Sequence, residues 1–421
     1  MPAGSVGAVT APLSPQPLRG DAPGRALLLE AIDPGAARLL ESAGLEVEVL
    51  DHALSEAALI ERLPGVALLG IRSNTHVTAA VLEAAPELEA IGAFCIGTNQ
   101  VDLPAATVRG VPVFNAPFSN TRSVVELAVA EIIALARRLS DRNAAMHEGR
   151  WDKSAKGSHE VRGRTLGIVG YGNIGSQLSV LAEAVGMSVA FYDYEDKLAL
   201  GNARRFHTLD ELLEVAEIVS LHVDGRAGNT GLFGDEQFAK MQHRSLFLNL
   251  SRGFVVDHDA LRKHIESGHI AGAAVDVFPR EPRSKGEEFV SVLRGLPNVI
   301  LTPHVGGSTQ EAQQDIGHFV AGKLRDYRSD GSTALSVNFP PVALPRQPGC
   351  CRLLLLHSNT PGVLARLNGV LAEHGVNIEG QLLGTRGSLG YVVTDLDGPP
   401  ADAMLDELRA LPETVRLRVQ G

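Results

Sequence analysis

TLGIVGYGNIG, residues 165–175, opens as an apolar strand and runs straight into Gly170, Gly172 and Gly175 at GxGxxG spacing. Each glycine has a mechanical reason. The first permits the tight turn, the second lets backbone amides approach a pyrophosphate, and the third lets the following helix pack on the strand. That helix carries Leu178, Leu181, Ala182 and Val185 on one face, and its positive end is where a pyrophosphate would sit. The spacing alone is a weak signal. Its context makes it strong, because the next strand, Ser188–Tyr192, ends in Asp193, 18 residues past Gly175. A carboxylate there accepts hydrogen bonds from a ribose diol and repels a 2′-phosphate, so this unit is expected to bind NAD rather than NADP.

Outward from the turn the alternation continues. SVAFYD, EIVSLHV, SLFLNLS, IAGAAVDV and NVILTPH read as further buried strands up to about Gly306. Toward the N-terminus ALLLEAI (26–32), GLEVEVLD, VALLGI, ELEAIGAF and VPVFNA form a first α/β unit. A helix is expected from Thr121 to about Met146, with Asn120 and Thr121 as capping residues, and another from Gln310 to about Tyr327. The fold class is therefore α/β, with two Rossmann-like lobes flanking a cleft. The first lobe, over 25–120 and completed by 308–337, is expected to bind substrate, and the second, over 121–307, to bind NAD.

At 338–349, NFPPVALPRQPG places four prolines in twelve residues and reads as a semi-rigid linker. Residues 350–421 then read strand 352–358, helix 361–374, strands 376–384 and 389–396, helix 401–411 and strand 414–420. That βαββαβ order is the ferredoxin-like plan. Pro361 at the first helical position and Gly375 after the last turn punctuate its first helix. Residues 1–24, rich in Pro, Ala and Gly, lack the basic start and apolar stretch of a signal peptide and read as a flexible tail.

Composition narrows the function. With 38 basic and 49 acidic residues the chain carries a net charge of -11, so nucleic acid and anionic membrane surfaces are poor partners. No apolar run approaches the ~20 residues of a membrane span. The three cysteines, Cys95, Cys350 and Cys351, form neither a disulfide framework nor a zinc spacing, so no metal and a reducing, cytoplasmic setting are expected.

Further candidates also lie just past strand ends. Arg252 follows SLFLNLS, Asp276 and Glu281 follow AGAAV, and His304 follows NVILTP. In open parallel sheets ligands bind beyond the carboxyl ends of the strands, so these residues are expected to share a rim with Gly170 and Asp193. Oxidising a 2-hydroxy acid sends a hydride to nicotinamide and a proton to a base. Histidine titrates near neutrality and suits that base, a carboxylate beside it would raise its pKa, and an arginine offers a planar fork to the substrate carboxylate. His304, Glu281 and Arg252 fill those roles. Singly, each has an ordinary structural explanation, and it is their common placement that points to chemistry.

With FCIGTNQVDL (94–103), VFNAPFSNTRSV (113–124), GIVGYGNIG (167–175), NLSRG (249–253), AVDVFPREP (274–282) and LTPHVGGSTQEAQ (301–313) in order, the chain from about residue 26 resembles the D-2-hydroxyacid dehydrogenase family, in its short serine-pathway form with one C-terminal ACT domain. The resemblance implies NAD-dependent oxidation of D-3-phosphoglycerate by a homotetramer, with L-serine as a feedback effector. It implies Arg252, Glu281 and His304 as the catalytic arginine, glutamate and histidine. It adds Asn173, Ile174, Leu250, Ser251, Gly306 and Gly307 to Gly170, Gly172, Gly175 and Asp193 as cofactor contacts, with Asp276 at the nicotinamide amide and Arg252 and His304 also at the cofactor. It assigns Arg72 and Ser73 to the substrate phosphate, Gly97 and Thr98 to the region of the carboxylate, and Lys153 with Trp151 to the vicinity of a neighbouring subunit's site. His357, Asn359 and Asn377 match positions that bind L-serine between paired ACT domains.

Three features depart from that family. Asn74 stands where relatives often carry a second phosphate-loop arginine, Cys350 replaces the second glycine of a Gly-Gly hinge after Gly349, and the N-terminal tail is longer. Two other readings are a dehydrogenase of another 2-hydroxy acid, such as 2-hydroxyglutarate, and a non-enzymatic NAD-sensing corepressor. Arg72 and the serine-type ACT residues argue against the first. The ACT domain argues against the second.

Overall fold

A computed structural model describes residues 24–282 and 286–420; apart from Gly24, the expected N-terminal tail lies outside the described residues. Two compact units emerge. One takes in the described residues up to Pro117 and those from Ile316 onward, and the other Phe118–Asp315. These boundaries differ from those expected from the sequence, 120/121 and 307/308.

The first unit holds a five-stranded parallel sheet of β1 (Arg25–Leu28), β2 (Glu46–Val49), β3 (Val66–Ile71), β4 (Ala90–Ala93) and β5 (Val113–Asn115), in the order β2-β1-β3-β4-β5. β3 is buried along its whole length, as a strand covered on both faces must be. Leu27, Leu69, Ile91 and Val113 point to one core and Ala26, Leu28, Leu68 and Phe114 to the other. The helix Gln310–Asp330 covers the second face with Ile316, Val320, Leu324 and Tyr327, a helical stripe. Each such side chain is worth roughly 1.5–3 kcal/mol when buried, before chain entropy is subtracted.

In the second unit lies a seven-stranded parallel sheet. Its strands are β6 (Thr165–Val169), β7 (Ser188–Tyr192), β8 (Arg204–Arg205), β9 (Ile218–Leu221), β10 (Ser245–Asn249), β11 (Ile270–Val275) and β12 (Val299–Leu301), in the order β12-β11-β10-β9-β6-β7-β8. In both sheets the chain first builds to one side and then crosses to the other, at β1/β3 and at β6/β9. These reversals are the crevices where open α/β sheets take ligands.

The helix expected over 121–146 is two helices, Thr121–Arg137 and Leu139–His147. Arg138 breaks it with φ +53, a left-handed conformation that no glycine or proline announces. Its guanidinium clasps Asp141, whose other oxygen accepts the Asn298 N–H, so tertiary contacts set the break. Asn120 occupies the N-cap position but makes no side-chain cap bond. Its amide lies against Gly307 instead, where a Cβ would come within 2.2 Å of Asn120 Nδ2.

The C-terminal residues form a four-stranded antiparallel sheet of β13 (Cys351–Ser358), β14 (Ile378–Arg386), β15 (Leu389–Leu396) and β16 (Thr414–Gln420), ordered β14-β15-β13-β16. Its first helix begins at Val363 rather than Pro361, because Gly362 at φ +87 cannot belong to a right-handed helix. The proline-rich stretch is not a spacer. Phe339, Val342 and Leu344 pack on Leu354, Leu356, Tyr391 and Val393 and cover the sheet face opposite its helices. Arg352, fully buried, fixes the arrangement. It grips Asp395 through two bonds of 2.6 and 2.7 Å and donates to the carbonyls of Asp330, Leu344 and Pro345.

Candidate active site

Gly170 ends β6 at φ +93, and a Cβ there would lie 2.6 Å from the His222 carbonyl. Gly175 is tighter still, with its Cβ position 2.1 Å from the Gly170 oxygen. Gly172 differs: nothing lies within 4 Å of its Cβ position, so the backbone faces open space. It is the N-cap of the helix Asn173–Ala184 and, among the described residues, makes no side-chain cap bond. The first helical N–H groups, at Asn173 and Ile174, are thereby left for an anion. Asp193 is buried at the end of β7, with Oδ2 accepting the Tyr171 N–H at 2.7 Å and Oδ1 the Glu195 N–H at 2.9 Å. A glycine cradle beside an acid with spare lone pairs fits a dinucleotide pyrophosphate and its ribose.

Past β10, β11 and β12 the predicted histidine and glutamate meet. His304 Nδ1 lies 2.9 Å from Glu281 Oε2, while Glu281 Oε1 accepts the Phe278 N–H at 3.0 Å. The carboxylate fixes the tautomer by accepting a hydrogen bond from Nδ1–H, leaving Nε2 as the reactive nitrogen. The Glu281 bond raises the His304 pKa above its ordinary value against the opposing pull of burial. Burial pushes the Glu281 carboxyl up, but the His304 bond, the Phe278 N–H and the charges of His304 and Arg252 outweigh it and hold the group below the ordinary range.

Asp276 shapes the loop that carries the histidine. It accepts from Thr302 Oγ1 at 2.6 Å and from the Val305 and Gly306 N–H groups at 2.8 Å each. These bonds straddle His304, which sits at φ +54. Strain of that kind persists only where the surroundings over-determine it. Arg252 is partly exposed and donates Nη1 to the Ser251 carbonyl at 2.7 Å. Ser251 is tied to Asn249 Oδ1 through N–H and hydroxyl, and Leu250 is buried between them. Gly253 permits the next step, since a Cβ there would stand 2.0 Å from the Phe278 carbonyl carbon. The Arg252 loop thereby packs directly on the segment leading to Glu281.

In the first unit Arg72, Ser73 and Asn74 form the loop after β3. Glu30, at the end of β1, holds it by accepting the N–H groups of Arg72, Asn74 and Thr75 at 2.9–3.1 Å. Gln100 joins this loop to that of Gly97 and Thr98, donating Nε2 to the Arg72 carbonyl at 2.6 Å and the Gly97 carbonyl at 3.4 Å. Ser73 is exposed and Arg72, Gly97 and Thr98 are half-buried. Trp151 and Lys153 belong to an exposed segment of the second unit, with the ammonium 5.8 Å from the indole centroid.

Within one copy of the antiparallel sheet His357, Asn359 and Asn377, expected to bind L-serine, do not converge. His357 is buried at the end of β13, with Nδ1 2.9 Å from the Ser358 carbonyl and, among the described residues, no partner for Nε2. Asn359 donates to the Gly387 carbonyl at the same end. β13 and β14 both pair antiparallel with β15 and so run in the same direction. Asn377, just before β14, therefore lies at the opposite end, where it bonds Glu379.

Sequence reasoning missed Glu30, Gln100 and Glu131. Glu30 was hidden because it lies inside the apolar run ALLLEAI, whose strand ends at Leu28. Glu131, on the helix Thr121–Arg137, has both carboxyl oxygens buried without a hydrogen-bond partner among the described residues. Burial, then the charge of Asp276, pushes its pKa up to about 8, which favours the neutral acid. Among the described residues no cluster of three or more metal-ligating side chains occurs, and no helix is long and apolar enough to cross a membrane.

The NAD binding domain of the D-isomer specific 2-hydroxyacid dehydrogenases matches residues 129–306, and an AHAS small subunit-like ACT domain matches 353–416. The D-3-phosphoglycerate dehydrogenase of Haemophilus influenzae is 50% identical over 394 residues, which is 93% of this chain and 96% of that protein. That of Escherichia coli is 50% identical over 396 residues, with the same coverage. Among solved structures, the NAD-dependent formate dehydrogenase of Staphylococcus aureus in complex with NAD superposes with a TM-score of 0.61 at 26% identity, over 72% of this chain and 95% of the other.

Proposed function

Because the chain belongs to the D-isomer specific 2-hydroxyacid dehydrogenase family, and within it to the D-3-phosphoglycerate dehydrogenases, we propose how its residues divide the oxidation of D-3-phosphoglycerate to 3-phosphohydroxypyruvate. It is an NAD-dependent oxidoreductase of the serine pathway. NAD would supply the hydride acceptor for C2 of the substrate. The residues for it are Gly170, Gly172, Asn173, Ile174 and Gly175 at the pyrophosphate, Asp193 at the ribose, and Leu250, Ser251, Asp276, Gly306 and Gly307 around the nicotinamide. His304 Nε2 takes the proton of the C2 hydroxyl, and Glu281 steadies the imidazolium that forms. Arg252 holds the substrate carboxylate and polarises the reacting oxygen. Arg72 and Ser73 receive the phosphate, and Gly97 and Thr98 lie by the carboxylate.

The 2.9 Å His304–Glu281 bond carries this reading. It is a base with a raised pKa and a fixed tautomer, at the rim where a dinucleotide-binding sheet takes ligands. The test is oxidation of NADH with 3-phosphohydroxypyruvate by the purified enzyme. No turnover, with NADH bound, would reject the assignment.

We further read the ACT domain as a serine sensor in a cytoplasmic homotetramer. β14 is an edge strand with much of its surface exposed, which a second copy can pair with antiparallel. That pairing sets Asn377 of one copy beside His357 and Asn359 of the other, and the unpartnered His357 Nε2 supports it. Lys153 and Trp151 would reach toward the neighbouring subunit's site. L-serine should lower Vmax through a coupling of about 1–3 kcal/mol. Asn359→Ala and Asn377→Ala should abolish that response and leave uninhibited turnover intact. Calorimetry that detects no serine binding to the wild type would make the domain an assembly element only.

A further inference from the structure

Two side chains that the reaction does not use meet beyond the glycine turn. Tyr194 follows Asp193 at the end of β7, and Arg226 lies in the loop after β9. β7 and β9 flank β6 in the sheet. A contact between their loops therefore spans the space past the end of β6, where Gly170 and Gly172 turn the chain. The contact has a definite geometry. The Arg226 guanidinium carbon stands 4.0 Å from the Tyr194 ring centroid, and Nη2 donates to the phenol oxygen at 2.7 Å. Asp224 holds the same guanidinium as a fork, taking Nε at 2.7 Å and Nη2 at 2.5 Å. Asn229 Nδ2 donates to Asp224 Oδ1 at 3.0 Å, and the Tyr194 hydroxyl donates to Glu195 Oε1 at 2.6 Å.

This arrangement adds little to stability, since an exposed cation–π contact is weak. Tyr194 is 62% exposed and belongs to neither core of the sheet. An exposed ion pair such as Arg226–Asp224 contributes little. The stacked pair lies on the surface next to the acid that fits a ribose.

We propose that the Tyr194–Arg226 stack is the adenosine-recognition element of this enzyme, a planar cationic surface against which adenine stacks while Asp193 takes the ribose. The inference rests on the NAD reading above and deepens it. Guanidinium suits the task because it is flat, weakly hydrated and stacks on aromatic faces, as an ammonium does not. Its charge also offsets part of the repulsion that Asp193 exerts on a 2′-phosphate. Arg226 should therefore soften the discrimination against NADPH that Asp193 imposes.

The experiment measures dissociation constants for NADH by fluorescence and for ADP-ribose by calorimetry, in wild type, Arg226→Ala, Arg226→Lys and Tyr194→Ala. Both alanine variants should bind NADH and ADP-ribose roughly three- to tenfold more weakly, the range of an exposed to partly desolvated cation–π contact. The loss should fall on KM for NADH rather than on kcat. NADPH should weaken more than NADH in Arg226→Ala. Nicotinamide mononucleotide, which lacks the adenosine, should bind all four proteins alike. Arg226→Lys should resemble Arg226→Ala, and full affinity in the lysine variant would overturn the stacking role. Unchanged ADP-ribose affinity in Arg226→Ala would overturn the proposal. So would tighter binding, which would make the pair a bar that adenine has to displace. A wild type that fails to bind NADH would instead overturn the cofactor reading on which this rests.

Discussion

Glu30 in the first unit and Asp276 in the second are both buried acids past strand ends, and both accept backbone N–H groups from a neighbouring loop. Glu30 draws in the loop of Arg72, Ser73 and Asn74, and Asp276 the loop of Val305 and Gly306. The shared device is inexpensive, since charge-assisted bonds to several amides repay the desolvation of a carboxylate. What the two loops present differs. The first offers a guanidinium, a hydroxyl and backbone groups, all of fixed charge, which suits binding. The second offers an imidazole bonded to a second carboxylate, which suits moving a proton. A buried acid that shapes a loop is thus a general part, and the chemistry lies in what the shaped loop exposes.

If that division is right, losses in the two loops should differ in kind as well as size. His304→Ala removes the proton acceptor and should lower kcat roughly 10²–10⁴-fold, read by steady-state kinetics at saturating substrate. A near-normal rate would end the division at once. Arg72→Ala should leave kcat largely intact and weaken the phosphorylated substrate by roughly ten- to a hundredfold, the worth of one charge-assisted bond. Reduction of 2-oxoglutarate, where it occurs, should suffer less, because that substrate brings no phosphate. Equal losses on both substrates would assign Arg72 to the loop's shape instead.

The smallest effect is the sharpest. In the direction of hydroxyacid oxidation the active form of His304 is the free base, so the rate rises as pH climbs through its pKa. Glu281 holds that pKa above the ordinary value, and Glu281→Gln should let it fall. The acidic limb of the kcat profile should then move to lower pH. A limb that stays in place would mean that Glu281 positions the ring without tuning it.

Much of the second unit was legible because its signals are local. Gly170, Gly172 and Gly175 are adjacent to the strand and helix they join, and Asp193, Glu281 and His304 each stand a few residues past an apolar run. The first unit's loop was harder to read. Glu30 acts on Arg72, 42 residues away, and no periodicity reports such a pairing. Arg138 looked like an ordinary helix residue because the Asp141–Asn298 contact that supports its left-handed turn is 157 residues long in sequence. The proline-rich stretch misled for a different reason. Composition showed its prolines but could not show that CRLLLLHS and LGYVVTDL leave a second apolar face needing a cover.

Asn338 and Phe339 are neighbours in sequence with opposite allegiances. Asn338 bonds the backbone at Val111 and Val113 in the five-stranded sheet, whereas Phe339 is packed under the antiparallel one. The joint between the dehydrogenase and the ACT domain therefore falls between those two residues, well before Gly349. A regulatory module transplanted from Cys350 onward would arrive with Arg352 stripped of its Leu344 and Pro345 carbonyls and one sheet face bare. Transplanted from Phe339, it would carry its own cover.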